Sequence, residues 1–280
     1  RRSSDLMTAT LSAESSRNGK KPRPRVSVSQ VVGEILLTVG ILALLFAYYE
    51  AYWTNVESGK LQESAGQKLD EDWNEARVNP RQKLTPELGE AFARMYVPAF
   101  GSDFNFAVIE GTDEEDLLAG PGRYVDSQMP GEAGNFAVAG HRVGKGAPFN
   151  DLGNLEVCDA IVVETYNSWD VYRVMPMSTN GADRAAEAAD CFNETQVSRM
   201  AEGDYVNVSG RSITTPDRID ATYPTPGVFD TAVREGSEAL LTLTTCHPQF
   251  SNAERMIVHA MLVEEIDKSS GERPAALEEN

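Results

Sequence analysis

Basic residues are scarce in this chain. Its 25 Lys and Arg against 43 Asp and Glu leave a formal charge of −18, which argues against nucleic acid as a partner, since that partner demands a positive surface. There is no internal repeat, and no glycine-rich loop spaced to cradle a phosphate. Cysteine and histidine number three each, so nucleophilic or imidazole chemistry must draw on six positions. What remains is ample: 280 residues, 41% hydrophobic and 24% charged, describe a globular chain of one large domain with appendages or two small domains.

The charge is unevenly placed. Residues 1–30 hold seven basic and two acidic side chains, a net +5, so residues 31–280 carry −23. Between them runs Val31 to Tyr49, nineteen residues whose one charge, Glu34, lies within a turn of the end. At ~1.5 Å rise per residue that run spans roughly 28 Å, about the thickness of a bilayer's hydrocarbon. Tyr48, Tyr49, Tyr52 and Trp53 form an aromatic belt at its far end. Lys20, Lys21, Arg23 and Arg25 precede the span and Glu50 and Glu57 follow it, so the positive-inside rule puts the N-terminus in the cytoplasm and the remainder outside. A cleaved signal peptide is the competing reading, but bulky aromatics stand where small residues should mark the cleavage site. A buried core helix would need an amphipathic continuation that neither end supplies. The expected organisation is a basic cytoplasmic tail (1–30), a single transmembrane helix (31–53), an extracytoplasmic stalk or linker (54–88), a catalytic domain (89–268) and a flexible C-terminal tail (269–280).

From Glu87 the pattern changes to short β-favouring runs at 91–97, 104–109, 136–139, 160–165, 171–175, 240–245 and 256–263, separated by Gly, Pro, Asn and Asp. That spacing predicts a mostly-β barrel or sandwich rather than a βαβ sheet. Short helices are expected at 113–118, 148–155 and 228–234, and residues 179–238 read as a long irregular excursion.

The chemistry concentrates at Thr242-Leu-Thr-Thr-Cys246 and Arg255. If Cys246 ends one strand of a hairpin and Arg255 opens the next, the two are cross-strand neighbours on one face, with Cβ atoms ~4.5–5.5 Å apart. A guanidinium beside a thiol favours a thiolate and can donate to an oxyanion, as acyl transfer requires. Among the histidines, His141 follows a strand and enters a glycine-rich loop, which presents its ring at a barrel rim. His247 adjoins the cysteine but turns to the opposite face, and His259 lies mid-strand. His141 ranks first as general acid, although a surface or core role is the commoner lot of any one histidine.

Taken together, Thr-Leu-Thr-Thr-Cys246, Arg255 nine positions on and Gly140-His141 after a strand resemble the sortases, the cysteine transpeptidases that attach proteins to Gram-positive cell walls. The resemblance covers about residues 89–268 and implies an eight-stranded β-barrel, preceded here by the transmembrane helix, with Cys246 as nucleophile, His141 as general acid and base, and Arg255 steadying the oxyanion and positioning substrate. Tyr124, within Gly120-Pro-Gly-Arg-Tyr, and the stretch 135–149 look like class E, the actinobacterial housekeeping type. There a Tyr at the place of Tyr124 reads the alanine of an L-A-x-T-G-like signal, and Thr245 joins it on the substrate side. The implied partners are secreted proteins carrying a C-terminal L-A-x-T-G or L-P-x-T-G sorting signal, cleaved between Thr and Gly, and an amine of a peptidoglycan precursor such as lipid II. No metal and no organic cofactor is implied.

Asp72-Trp73 lacks the proline of the D-P-W/F lid found in pilus-polymerising sortases, which leaves a pilin polymerase as the alternative. An L,D-transpeptidase would show Ser-x-Gly-Cys around its nucleophile, and a non-catalytic membrane-tethered binding domain would bury Cys246 as a mere strand residue. The acidic run Glu110 to Asp116 reads as a helix start with favourable carboxylates. Cys158 and Cys191 leave open a disulfide or two buried free thiols, the latter being the commoner case.

Overall fold

The computed structural model describes residues 27–78 and 85–279, with Ala51 described by its backbone alone. The chain divides into two compact units, residues 1–45 and 46–280. Most of the expected basic tail lies outside the described residues. Helix α1 (Val28–Tyr48) has no buried residue, and the Ser27 hydroxyl accepts from the Gln30 N–H at 3.2 Å to cap its start. Among the described residues it is the one helix long and apolar enough to cross a membrane, by length and composition.

In the second unit a π-helical stretch, Tyr49–Trp53, leads into helix α2 (Thr54–Val78). The strands are β1 (Ala91–Tyr96), β2 (Asn105–Glu110), β3 (Gly122–Arg123), β4 (Gly134–Ala139), β5 (Ala160–Glu164), β6 (Ser168–Val174), β7 (Arg211–Thr214), β8 (Ala239–His247) and β9 (Glu254–Asp267). Eight of them run in the order β6-β5-β1-β2-β3-β4-β8-β9 and close into a barrel where β9 returns to β6. The strand β9 is fourteen residues long, and that length allows three partners. One edge pairs with β8, while the other pairs first with β7 and then with β6.

Strand alternation builds the core. Phe136, Val138, Leu241, Leu243, Met256, Val258 and Ala260 turn inward against Met95, Val108, Ile161 and Val163, each fully buried aliphatic or aromatic side chain contributing ~1.5–3 kcal/mol. The residues between them face outward. All seven β-runs expected from the pattern are strands. The two-residue β3 and the four-residue β7 are additional.

Helix α3 (Glu114–Ala119) forms where expected, behind Asp113 and a reciprocal capping box with Asp116. Residues 148–155 supply a single 3-10 turn at Leu152–Asn154. Residues 228–234 form no helix: Gly227 sits at φ +82° and the Asp230 carboxylate accepts from the Ala232 N–H, a local side-chain bond that competes with helical hydrogen bonding. The excursion expected at 179–238 contains helices α4 (Gly181–Ala188) and α5 (Glu194–Ala201) as well as β7. Its organiser is Arg184, 1% exposed, whose guanidinium donates to the carbonyls of Pro176, Ser178, Met200, Tyr205 and Val208. One buried charge thus satisfies the acceptors of a segment without ladder hydrogen bonds. Cys158 and Cys191 are joined in a disulfide, which ties this excursion to the β5 side.

The segment expected as a stalk is α2, and it packs on the barrel. Leu69 and Trp73, four residues apart on one helix face, are buried with Ala107, and the Lys268 ammonium lies 4.3 Å from the Trp73 ring. At the C-terminal end, described to Glu279, Ala276 is buried on the β5 side and Glu279 accepts from the Arg173 guanidinium at 2.7 Å. The tail is docked there, against the expectation of a flexible end.

Candidate active site

The parallel pairing of β4 with β8 sets Ala139 beside Thr244. One residue on, Gly140 donates its N–H to the Thr244 carbonyl at 3.0 Å and accepts the Thr245 hydroxyl on its own carbonyl at 2.7 Å. The two bonds hold the end of β4 against β8, so that His141 emerges alongside Cys246. Only glycine fits at 140: a Cβ there would stand 2.5 Å from Phe149 Cδ2. Phe149 is part of the core, and its N–H returns to the His141 carbonyl at 3.0 Å, closing the loop that carries the histidine.

Helix α2 braces that loop from outside. Lys145 N–H donates to the Thr54 hydroxyl and Gly146 N–H to Asn55 Oδ1. Lys145 in turn pairs with Glu114 at 2.9 Å. The His141 ring is partly buried, and its Nε2 has no hydrogen-bond partner among the described residues. Burial, reinforced by the Lys145 charge and opposed by Glu114, holds its pKa below the ordinary imidazole value. The ring is neutral at pH 7 and ready to accept a proton.

Cys246 and Arg255 are direct partners across the β8–β9 hairpin, the register anticipated from their spacing. Cys246 is the free cysteine of the three and half-buried. Arg255 Nη1 donates to the carbonyls of Asn252 and Glu254, which among the described residues leaves Nε and Nη2 for an incoming anion. Thr244, two residues before Cys246 and so on the same outward face, meets the Tyr124 hydroxyl at 3.0 Å. Tyr124 therefore stands about 7 Å along the strand from the thiol, at ~3.3 Å per residue.

Thr245 requires a correction. It was expected on the substrate side, but alternation turns it away from the Cys246 face, where it is 3% exposed and gives its hydroxyl to Gly140. Arg142 was missed: its Nη1 reaches the Cys246 carbonyl at 3.4 Å and meets His247 Nδ1, bracing the backbone of the nucleophile from the His247 side. Its position directly after His141 was the available signal. His259 is buried and bonded to Thr242 at 2.8 Å. Among the described residues no group of His, Cys, Asp and Glu is placed to hold a metal ion.

A thiol, a neutral imidazole and a guanidinium at the joined ends of β4, β8 and β9 can perform nucleophilic acyl transfer. Comparison with known proteins agrees with this arrangement. The Sortase domain family profile matches residues 95–263. Sortase SrtE1 of Streptomyces coelicolor is 31% identical over 265 residues, covering 92% of this chain and 63% of the relative, so the chain spans less than two thirds of that protein's length. Among solved structures, the SrtF sortase from Corynebacterium diphtheriae is 64% identical with a TM-score of 0.70, covering 73% of this chain and 100% of that one. Sortase E from Streptomyces avermitilis is 30% identical with a TM-score of 0.50, covering 68% and 99%.

Proposed function

Because the chain belongs to the sortase family, we propose that it is a membrane-anchored, class E-like cysteine transpeptidase that cleaves an L-A-x-T-G or L-P-x-T-G signal between Thr and Gly. It passes the cleaved protein to an amine of a cell-wall precursor. The observation that carries this reading is the Cys246–Arg255 pairing at the mouth of a strand end that delivers His141 to the same rim.

In the first half-reaction neutral His141 takes the Cys246 proton, and the sulfur attacks the Thr carbonyl carbon. Arg255 donates to the oxygen as it gains charge. The C–N bond then breaks, and the imidazolium returns its proton to the departing Gly amine. A thioester of Thr on Cys246 remains. In the second half-reaction a precursor amine attacks that thioester, His141 accepts the amine's proton, and the thiolate is released as the new amide forms. Tyr124, held against Thr244, borders the path of the signal and reads the residue in its alanine position. Thr245 and Gly140 act behind the site by fixing His141. The apolar helix α1 supports an anchor, and the basic residues before it support a cytoplasmic N-terminus with the catalytic unit outside.

Purified full-length chain in detergent, offered fluorogenic L-A-x-T-G and L-P-x-T-G peptides with and without diaminopimelate, tests the reading. Cleavage that rises or changes product with the amine, and that disappears in Cys246→Ala and falls steeply in His141→Ala and Arg255→Ala, is the expected result. Cleavage that survives Cys246→Ala would refute it.

A further inference from the structure

The outward face of β4, β8 and β9 continues away from Cys246. One step along, Thr244 stands opposite Ile257; at the next, Thr242 stands opposite His259. The hydrogen bonds at this second step fix where the protons are. The Asn135 amide nitrogen donates to the carbonyls of Ala221 at 3.3 Å and Tyr223 at 3.0 Å, which orients the amide and leaves its Oδ1 toward Thr242. The Thr242 hydroxyl has one proton and gives it to that oxygen at 2.8 Å. The 2.8 Å contact between the same hydroxyl and His259 Nδ1 must then be a ring N–H donated to the hydroxyl's lone pair. Burial drives the His259 pKa down to about 4, so the ring is neutral and, with its proton on Nδ1, carries a bare lone pair on Nε2.

No described residue bonds that Nε2. The ring lines a cavity of about 250 Å³ between the β7–β9 pair and residues 218–227, walled by Ser212, Thr214, Asp220 and Pro226. The cavity lies on the Cys246–Arg255 face, because Thr214 of β7 pairs with Arg255 itself. The atom opens on a space that a side chain can enter, where a donor on the substrate can take the place of water.

Resting on the transpeptidase reading, we propose that His259 Nε2 is a specificity-determining acceptor of the substrate cleft, receiving a hydrogen bond from a hydroxyl- or amide-bearing side chain immediately before the leucine of the sorting signal. The position follows from the strand. Cys246 and Thr242 are four residues apart, about 13 Å at ~3.3 Å per residue, and an extended peptide rises at the same rate. The residue four places before the attacked Thr is the one preceding Leu in L-A-x-T-G. The recognised part of the signal lies N-terminal to the scissile bond, so it must follow the long side of the face, from Cys246 past Thr244 to the His259 cavity. Asn135 also holds Ala221 and Tyr223, so the same network fixes the wall opposite.

The test uses full-length chain in detergent and two peptides differing only in Thr or Val before L-A-x-T-G. Binding is measured on the Cys246→Ala chain, so that no turnover intervenes. The Thr peptide is expected to bind roughly tenfold more tightly, one neutral hydrogen bond, with the preference lost in His259→Leu. In a chain with His259 intact, nitrogen-15 imidazole spectra should show its proton on Nδ1, with the Nε2 resonance moving for the Thr peptide and not for Val. A proton on Nε2, or equal affinity for the two peptides, overturns the proposal. The two readings fail separately. Cleavage by the native chain with no Thr–Val difference removes the acceptor site and leaves the transpeptidase. Thr-over-Val binding without cleavage of either peptide removes the transpeptidase and leaves the acceptor site.

Discussion

Thr245→Val probes the link between fold and chemistry most finely. The side chain is 3% exposed and its hydroxyl is bound to the Gly140 carbonyl at 2.7 Å. Valine nearly keeps the volume but removes the donor, leaving a buried carbonyl unpaired at a cost of about 1–3 kcal/mol. The Gly140 N–H to Thr244 bond survives, so the strand end stays attached but is held at one point instead of two. A displacement of His141 by ~1 Å would cost roughly 10²-fold in rate. Urea unfolding of the full chain should therefore show a loss in the 1–3 kcal/mol range, and kcat/KM for the signal peptide should fall about ten- to a hundredfold. Alkylation of Cys246 should slow along with turnover, because His141 is the group that takes its proton, and Thr245→Ser should restore both. Stability within ~0.5 kcal/mol of the native chain, the range of an inconsequential surface change, together with full turnover, would refute the reasoning.

Two further outcomes follow from the packing. The Cys158–Cys191 disulfide closes a span of 33 residues, for which the loop-entropy relation gives about 4 kcal/mol; the double variant Cys158→Ser/Cys191→Ser should lose most of that in urea unfolding, and a loss below ~1 kcal/mol would mean the reduced excursion holds itself. Asp170 is 0% exposed, and its oxygens have no hydrogen bond among the described residues. Burial pushes its pKa from 3.8 up to about 6, with Ser168 opposing and Glu265 adding. The native state therefore holds this proton more tightly than the unfolded chain does. The cost is absent below pH ~4, grows between ~4 and ~6 and is full above, about 3 kcal/mol at 1.36 kcal/mol per pKa unit. Asp170→Asn should gain stability at pH 8 and flatten the profile between pH 4 and 8; an unchanged profile would contradict it.

The barrel was legible because residue type alternates along its strands even where both faces are buried: Leu241 and Leu243 against Thr242 and Thr244 is a period of two, and it also placed Cys246 opposite Arg255. The same parity, carried one residue back, would have turned Thr245 inward, away from substrate. Helix α2 was harder, since its apolar residues are scattered along a largely polar helix, and the burial of Leu69 and Trp73 is decided by Ala107 and Lys268 from elsewhere in the chain. The excursion at 179–238 was illegible for a different reason. Its order comes from Arg184 donating to five distant carbonyls, a contact with no local signature. The strand β3 is two residues long, and β7 is partly exposed, with Ile213 turned to solvent, so neither shows a hydrophobic run. The proton on His259 was beyond reach altogether, because it depends on Asn135, Thr242 and two backbone carbonyls meeting in space.

The central claim is that one sulfur carries the acyl group. Full-length chain quenched in acid during turnover of an L-A-x-T-G peptide, digested and analysed by mass spectrometry, tests it directly. The peptide containing Cys246 should carry the added mass of the signal up to and including Thr, and a nucleophilic amine should discharge it. An adduct on any other residue, or steady cleavage with Cys246 never modified, would contradict it.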